Sequence, residues 1–359
     1  MILFFKDKYF LYQYMIEGDT ANIFKAEQLQ PCTSLMMPSP KALGSNKVTI
    51  SGSSVVQQPF KALKKVTFPE GYTEIGSCAL SNSLVEEVVL PESIECIHGY
   101  AFSNSELKTI NLPQSLTHVD IYAFENTPMM NDERLWVDGV FYVDDWALAV
   151  KRPTNTLSSH KDVYTIVIKD GTRGIGGRFT SRITTYKSDI CVTFPQTLEI
   201  ISDFAFYRCK LKQVEFPASL KTIGHRAFMG SDLRNVTTSE ECKTIGGCAF
   251  FNCSKLETAE LKGVEIIETE AFGYCVALKR VNMPVAKHIK TRAFAGTQNL
   301  EVSLPSSVER VDTCAFDSTK AKTQGLTGNG CSSSKGYSVL VSSITIVFSF
   351  NEPSGLIAF

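Results

Sequence analysis

An Ala-Phe dipeptide recurs every 22 residues, and nothing else in the chain narrows the fold as much. Alanines stand at Ala79, Ala101 and Ala123, and again at Ala205, Ala227, Ala249, Ala271, Ala293 and Ala315. The next residue is Leu80 in the first copy and phenylalanine afterwards: Phe102, Phe124, Phe206, Phe228, Phe250, Phe272, Phe294 and Phe316. Four residues before the alanines come Ile75, Ile97, Val119, Ile201, Ile223, Ile245, Ile267, Ile289 and Val311. A unit this short cannot close a core alone, so copies must stack and bury one another's apolar columns. Alanine beside phenylalanine reads as a close-packing position. A damaged copy lies at Ile175 to Phe179, with spacing one residue shorter and Arg178 in place of alanine. Local distortion is expected there.

Each period also carries a strand module, Leu-x-x-Val/Ile-x-Leu/Phe-Pro. It appears at Leu63 to Pro69, Leu107 to Pro113, Leu211 to Pro217 and Leu278 to Pro284. Its fourth and sixth positions alternate as in a short strand, and proline ends the ladder because it has no N–H to donate. Leu300 to Pro305 is one residue shorter, and Leu233 to Ser239 and Leu256 to Lys262 lack the proline. The period leaves no room for long helices. The expected fold is a β-rich repeat solenoid of strands, turns and short 3-10 pieces. At about 4.8 Å per strand, ten turns give an arc of roughly 50 Å.

Breaks in the register divide the chain. Residues 1–58 lack it and read as an N-terminal β-rich cap, with Tyr9 to Lys25 forming a hairpin around Glu17-Gly18-Asp19 and Pro31 to Gly44 a loop. Residues 59–130 are a first repeat block and 171–320 a second. Residues 131–170 carry an inserted β-hairpin, with apolar runs on either side of Asp144-Asp145 and both tryptophans, Trp136 and Trp146. That hairpin is either an aromatic recognition knob or a cover for a solenoid edge. Residues 321–359 form a Gly/Ser-rich tail with an apolar end, a capping strand or an unstructured terminus.

Few residues point to chemistry. Cys209, Cys253 and Cys275 stand four after the alanine, where other copies have Ser83, Ser105, Thr127, Ser231, Thr297 and Thr319. That column asks for a small side chain. No Cys-x-x-Cys, His-x-x-x-His, Gly-x-Ser-x-Gly or Walker spacing occurs, so no catalytic, metal or cofactor site is assigned. Gly171 to Gly177 reads as a repeat turn. Lys+Arg total 36 against 37 Asp+Glu, which argues against nucleic acid as a partner. No apolar run is long enough for a transmembrane helix. Met1 to Phe5 is followed at once by charged residues, so no signal peptide is visible.

The columns resemble the BspA-like class of leucine-rich repeats, a bacterial and protozoan surface-protein type. Residues 211–228 and 242–253 fit its pattern closely. The resemblance implies a right-handed solenoid with a parallel sheet on its concave side and short turns or 3-10 pieces on the other. It also implies a cell-surface or secreted, non-enzymatic, adhesin-like protein that binds a host or matrix protein. An intracellular scaffold is the alternative, favoured by the missing signal peptide. Binding is expected at the outward third and fifth residues of the strand modules: Thr109 and Asn111, Gln213 and Glu215, Thr258 and Glu260, Arg280 and Asn282. These are polar and vary between copies, and no aromatic ladder accompanies them.

Overall fold

A computed structural model describes residues 1–51, 62–151, 163–183 and 189–319, with the backbone of three two-residue strands beyond them. His160, Cys331 and the Gly/Ser-rich stretch 328–338 lie outside the described residues, as does most of the apolar end. The chain forms two compact units. One comprises Met1–His160, Ile166–Tyr186 and Thr197–Ala205; the other comprises Lys161–Thr165, Lys187–Gln196 and Phe206–Phe359. Each is a β-solenoid of stacked short parallel strands. Helix is confined, among the described residues, to three 3-10 turns at Pro40–Leu43, Pro128–Asn131 and Glu133–Leu135.

The first unit opens with an antiparallel meander of β1 (Leu3–Lys6), β2 (Phe10–Glu17) and β3 (Thr20–Gln28). Its hairpin falls where expected, with Glu17 opposite Thr20 and Gly18 in the left-handed region at φ +62°. Beyond β3 every neighbour is parallel, through β5 (Lys47–Ile50), Tyr72–Ile75, Cys96–Ile97 and His118–Val119. These later strands contain the β-branched residue of each repeat. A second parallel sheet runs β4 (Ser34–Met36), Lys65–Thr67, Glu87–Val89 and Thr109–Ile110, which are the strand modules. The repeats therefore carry two parallel sheets as well as the Ala-Phe turns.

Ser34 to Gly44 corrects the sequence reading of a loop. Leu35 pairs with Val66 and Ile50 with Ile75, so residues 34–50 make a full repeat turn. Leu35 stands fifteen residues before Ile50, whereas Val66 stands nine before Ile75. The difference is the 3-10 turn Pro40–Leu43, started by Ser39 capping Ala42 and ended by Gly44 at φ +71°. A search at fixed period passes over it.

The second unit repeats the plan. Thr222–Ile223, Thr244–Ile245, Ile266–Ile267, His288–Ile289 and Arg310–Val311 stack in parallel, each shifted by one repeat. Asn235–Thr238, Thr258–Leu261 and Arg280–Asn282 form the strand-module sheet. The backbone of Val339–Leu340 adds an antiparallel strand to Arg310–Val311.

The Ala-Phe turn has one conformation throughout. The residue before alanine is left-handed, at φ +53° to +59° from Cys78 and Tyr100 to Arg292 and Cys314. So is the residue three after it, such as Asn82, Asn104, Asn252 and Gly296. Alternate N–H groups then reach the next turn: Tyr100 to Ile121 O at 3.0 Å, Phe102 to Ala123 O at 2.8 Å and Asn104 to Glu125 O at 2.9 Å. Arg226, Phe228 and Gly230 repeat the pattern onto Gly247, Ala249 and Phe251. Inside, the phenylalanines stack. Phe206, Phe228, Phe250, Phe272, Phe294 and Phe316 lie 5.1–5.4 Å apart, with ring planes within 12°.

The Cys/Ser/Thr column has a polar task as well as a size limit. Ser105, Thr127 and Thr297 hydroxyls donate to the carbonyl of the phenylalanine three residues earlier, at 2.6–2.8 Å. Cys253 and Cys275 instead reach the phenylalanine carbonyl of the previous turn, at Phe228 and Phe250, 3.2 and 3.0 Å away. Each buried carbonyl thus gains a donor. Burial pushes the Cys275 thiol well above its ordinary value and Cys242 up to about 12, so these thiols are inert packing groups.

Arg178 does not replace an alanine. Ile175 pairs with Ile201 on one side and Ala147 on the other, and Arg178 at φ +58° occupies the left-handed position that precedes the alanine. Phe179 sits in the alanine column, fully buried, and Thr180 takes the phenylalanine column, donating to Ala205 O at 3.1 Å. The spacing is the regular one; the occupants differ. In the inserted hairpin, Val140–Val143 and Trp146–Val150 pair antiparallel, and Trp146–Ala147 then pairs in parallel with Gly174–Ile175. Trp146 is fully buried, so it packs in the core and is no recognition knob.

The stacked phenylalanines make a direct prediction. Phe250→Ala removes a fully buried ring between two stacked neighbours and should cost about 3–5 kcal/mol. Chemical denaturation with a fluorescence readout measures this as a lower midpoint.

Candidate functional site

The strand-module sheet of the second unit offers an ordered polar face. Burial alternates along Asn235–Thr238, with Val236 and Thr238 inward and Asn235 and Thr237 outward. The same alternation places Thr258 and Glu260, then Arg280 and Asn282, on the outer face. Parallel register sets these residues in two columns. Asn235, Thr258 and Arg280 are opposite one another, as are Thr237, Glu260 and Asn282. Thr258 Oγ1 donates to Asn235 Oδ1 at 2.8 Å, and Asn282 Nδ2 to Glu260 Oε2 at 2.8 Å.

Four of the expected binding residues are thus brought together, and Asn235 and Thr237 join them. These two occupy the third and fifth positions of a module without its proline, so the rule that selected the others would have found them too. Gln213 lies on another small sheet of the same unit, opposite Cys191, and Glu215 is exposed beyond its strand. Thr109 and Asn111 belong to the first unit. Thr109 is opposite Glu87. The Asn111 amide is committed to the main chain, donating to Leu90 O and accepting from Leu90 N, each at 2.8 Å. It is a structural bracket between repeats.

Charge ladders flank these faces, and the sequence reading missed them. The second module position carries Lys64, Glu86 and Lys108 in the first unit, with Glu86 bridging both lysines at 2.5 and 2.6 Å. In the second unit Glu257 bridges Arg234 and Lys279 at 3.0 Å each. The signal was available as opposite charges one repeat apart. Arg280 differs: among the described residues its guanidinium has no carboxylate or hydrogen-bond partner.

A BspA type leucine rich repeat region matches in six copies, over residues 46–137, 186–301 and 265–342, more than half of the chain. The chain belongs to the BspA-type leucine-rich repeat family. Its sheets, turns and Phe columns are the structural content of that match. Among solved structures, a leucine-rich repeat protein from Eubacterium ventriosum aligns at 16% identity, covering 87% of this chain and 93% of that one, with a TM-score of 0.43. A leucine rich cell surface protein from Faecalibacterium prausnitzii aligns at 18% identity over 78% and 94% of the two chains, TM-score 0.38. The pneumococcal vaccine antigen PcpA aligns at 19% identity over 90% and 81%, TM-score 0.32. Comparison with curated protein sequences finds no match.

Three of the five histidines of this BspA-type repeat protein lie beside carboxylates. His98 Nε2 lies 3.0 Å from Glu74, His118 Nε2 3.6 Å from Asp203 and His288 Nε2 3.0 Å from Asp312. Among the described residues, no group of three or more His, Cys, Asp or Glu is placed to hold a metal ion. A cavity in the first unit between the turns Val119–Glu125 and Gly176–Arg182 holds ≈30 Å³, room for about one water and far from the ~300 Å³ of a typical ligand pocket. No helix among the described residues is long and apolar enough to cross a membrane.

Hydrogen bonds from Lys108 and then Lys64 lower the Glu86 carboxyl from its ordinary 4.5 to about 2. A carboxyl depressed by folding stabilises the native state above its unfolded pKa, and the contribution disappears as pH falls through the folded one. The Lys64–Glu86–Lys108 bridge should therefore act at neutral pH and fade between pH 4.5 and about 2. Glu86→Gln should lower the urea midpoint slightly at pH 7 and not at pH 2, and high salt should shrink the pH 7 difference.

Proposed function

We propose that this protein is a non-enzymatic protein-binding module that recognises its ligand through the strand-module face of the second unit. The observation that carries this reading is Arg280. It is exposed, lies in register between Thr258 and Glu301, and makes no ion pair or side-chain hydrogen bond among the described residues, whereas Arg234 and Lys279 both pair with Glu257. An unpaired guanidinium on a rigid, half-polar sheet can form bidentate bonds to a partner's carboxylate without first breaking a local pair. Gln213 and Glu215 add a second polar patch on the same unit. The mixed signs suit a folded protein surface and give no continuous basic track for nucleic acid.

By likeness to its family the protein acts at the cell surface, in an adhesin-like role toward a host or matrix protein. Because function resides in the site and not in the fold, the face and the location have separate tests. On an array of purified extracellular-matrix proteins, the full chain should bind at least one, and Arg280→Ala combined with Glu215→Ala should weaken that binding about tenfold or more. Unchanged affinity in a variant with native circular dichroism would remove this face from consideration.

Location is read by protease shaving of intact source cells, followed by mass spectrometry. Peptides of this chain are expected before lysis. Their appearance only after lysis would turn the assignment to an intracellular scaffold.

A further inference from the structure

Among the described residues, strand β1 is the edge of its sheet. Its register with β2 sets Leu3 opposite Tyr14 and Phe5 opposite Tyr12, and Asp7 N donates to Phe10 O at 3.0 Å. Antiparallel main-chain groups alternate in direction. Asp7, Phe5 and Leu3 therefore face β2, and the N–H and C=O groups of Ile2, Phe4 and Lys6 face away. No described strand lies on that side. Edge strands are normally blunted by charge, proline, a bulge or a cover. Here Met1 to Phe5 is wholly apolar, and Ile2 and Phe4 are 51% and 62% exposed.

We propose that this edge pairs antiparallel with β1 of a second copy of the chain, about a two-fold axis at Phe4. The strand is its own complement in that register. Phe4 falls opposite Phe4 and Ile2 opposite Lys6, so outward main-chain groups meet outward main-chain groups. Leu3 falls opposite Phe5. Both are half-buried and packed on the core of their own copy, so each covers the other on the core-side face. Asp7 falls opposite Met1, and no like charges are opposed. The second copy extends the seven-stranded sheet across the seam. A seam of one short strand buries less than the roughly 1,000 Å² of a stable interface, so the dimer is reversible.

Sedimentation velocity of the full chain should show a concentration-dependent monomer–dimer shift at micromolar or higher concentration, where weak reversible pairs associate. Phe4→Glu and Phe4→Lys each set like charges face to face and should weaken dimerisation at least tenfold while leaving circular dichroism unchanged. An equimolar mixture of the two variants should restore the dimer, a result that general destabilisation does not produce. A wild-type chain that stays monomeric, variants that dimerise as the wild type does, a mixture that stays monomeric, or species growing past the dimer would each overturn the proposal.

Discussion

Three main-chain hydrogen bonds between successive Ala-Phe turns hold each unit together on its turn side. They exist because two residues per turn adopt the left-handed conformation, which aims alternate N–H groups along the stacking direction. For residues such as Tyr100, Arg226 or Glu270 that conformation costs about 1–2 kcal/mol. Three hydrogen bonds at a net 0.5–1.5 kcal/mol each roughly offset two such residues. The surplus must come from burial, and a fully buried phenylalanine supplies about 1.5–3 kcal/mol. This balance accounts for the pairing of alanine and phenylalanine. The alanine carbonyl accepts from the phenylalanine N–H of the turn before it, and a methyl side chain there leaves the ring beside it free to stack.

Much of this was legible in the sequence because the Ala, Phe and Ile/Val columns each repeat one requirement many times. The strand modules were legible for the same reason, through their period-two alternation. The sheet of two-residue strands was not, since Cys96–Ile97 or Thr244–Ile245 is too short to show alternation. Residues 34–50 were missed because Pro40–Leu43 lengthens the turn while leaving Leu35 and Ile50 in place. The left-handed positions were half legible. Asn82, Asn104, Asn252 and Gly296 carry a residue signal, whereas Cys78, Tyr100 and Arg292 do not, because there the hydrogen-bond ladder imposes the conformation on whatever residue stands in it.

The candidate site divides in a similar way. Period and pleat predict which side chains face outward, and Thr258, Glu260, Arg280 and Asn282 lie on the outer face of one sheet. They do not predict how those side chains are used. Asn111 looked equivalent to Asn282, yet its amide closes on the Leu90 main chain in both directions. Glu257 looked like an ordinary exposed acid, yet it bridges two cations. In a stacked repeat each outward residue has a neighbour one turn away, and that neighbour decides whether it is free to meet a ligand. The informative quantity is thus the pairing between residues one turn apart, and Arg280, in register with Thr258 and Glu301, makes no ion pair with a neighbour among the described residues.

The inserted hairpin and the altered repeat after it are a single packing solution. Trp146 enters the parallel stack directly before Gly174, and a Cβ on Gly174 would lie 2.5–2.6 Å from its ring atoms. A Cβ on Gly176 would meet only the movable end of the Leu148 side chain at 2.9 Å, whereas one on Gly177 would meet the backbone of Asp120, Ile121 and Asp203 at 2.7–2.9 Å. The turn therefore closes against its neighbours on glycine. The Trp146 ring takes the room a Cβ on Gly174 would need, and the fully buried Phe179 accepts at its carbonyl from Val150 N of the hairpin at 3.2 Å. The hairpin end is fastened by Asp145, which accepts from Arg173 at 2.9 Å while that guanidinium donates to Leu116 O at 2.8 Å. Restoring the consensus by placing alanine at position 179 alone would leave a cavity, since the space belongs to a turn whose glycines and tryptophan are already committed. A residue that looks like damage to a repeat stands at the regular spacing, fully buried, and its main chain is bonded to the hairpin that precedes it.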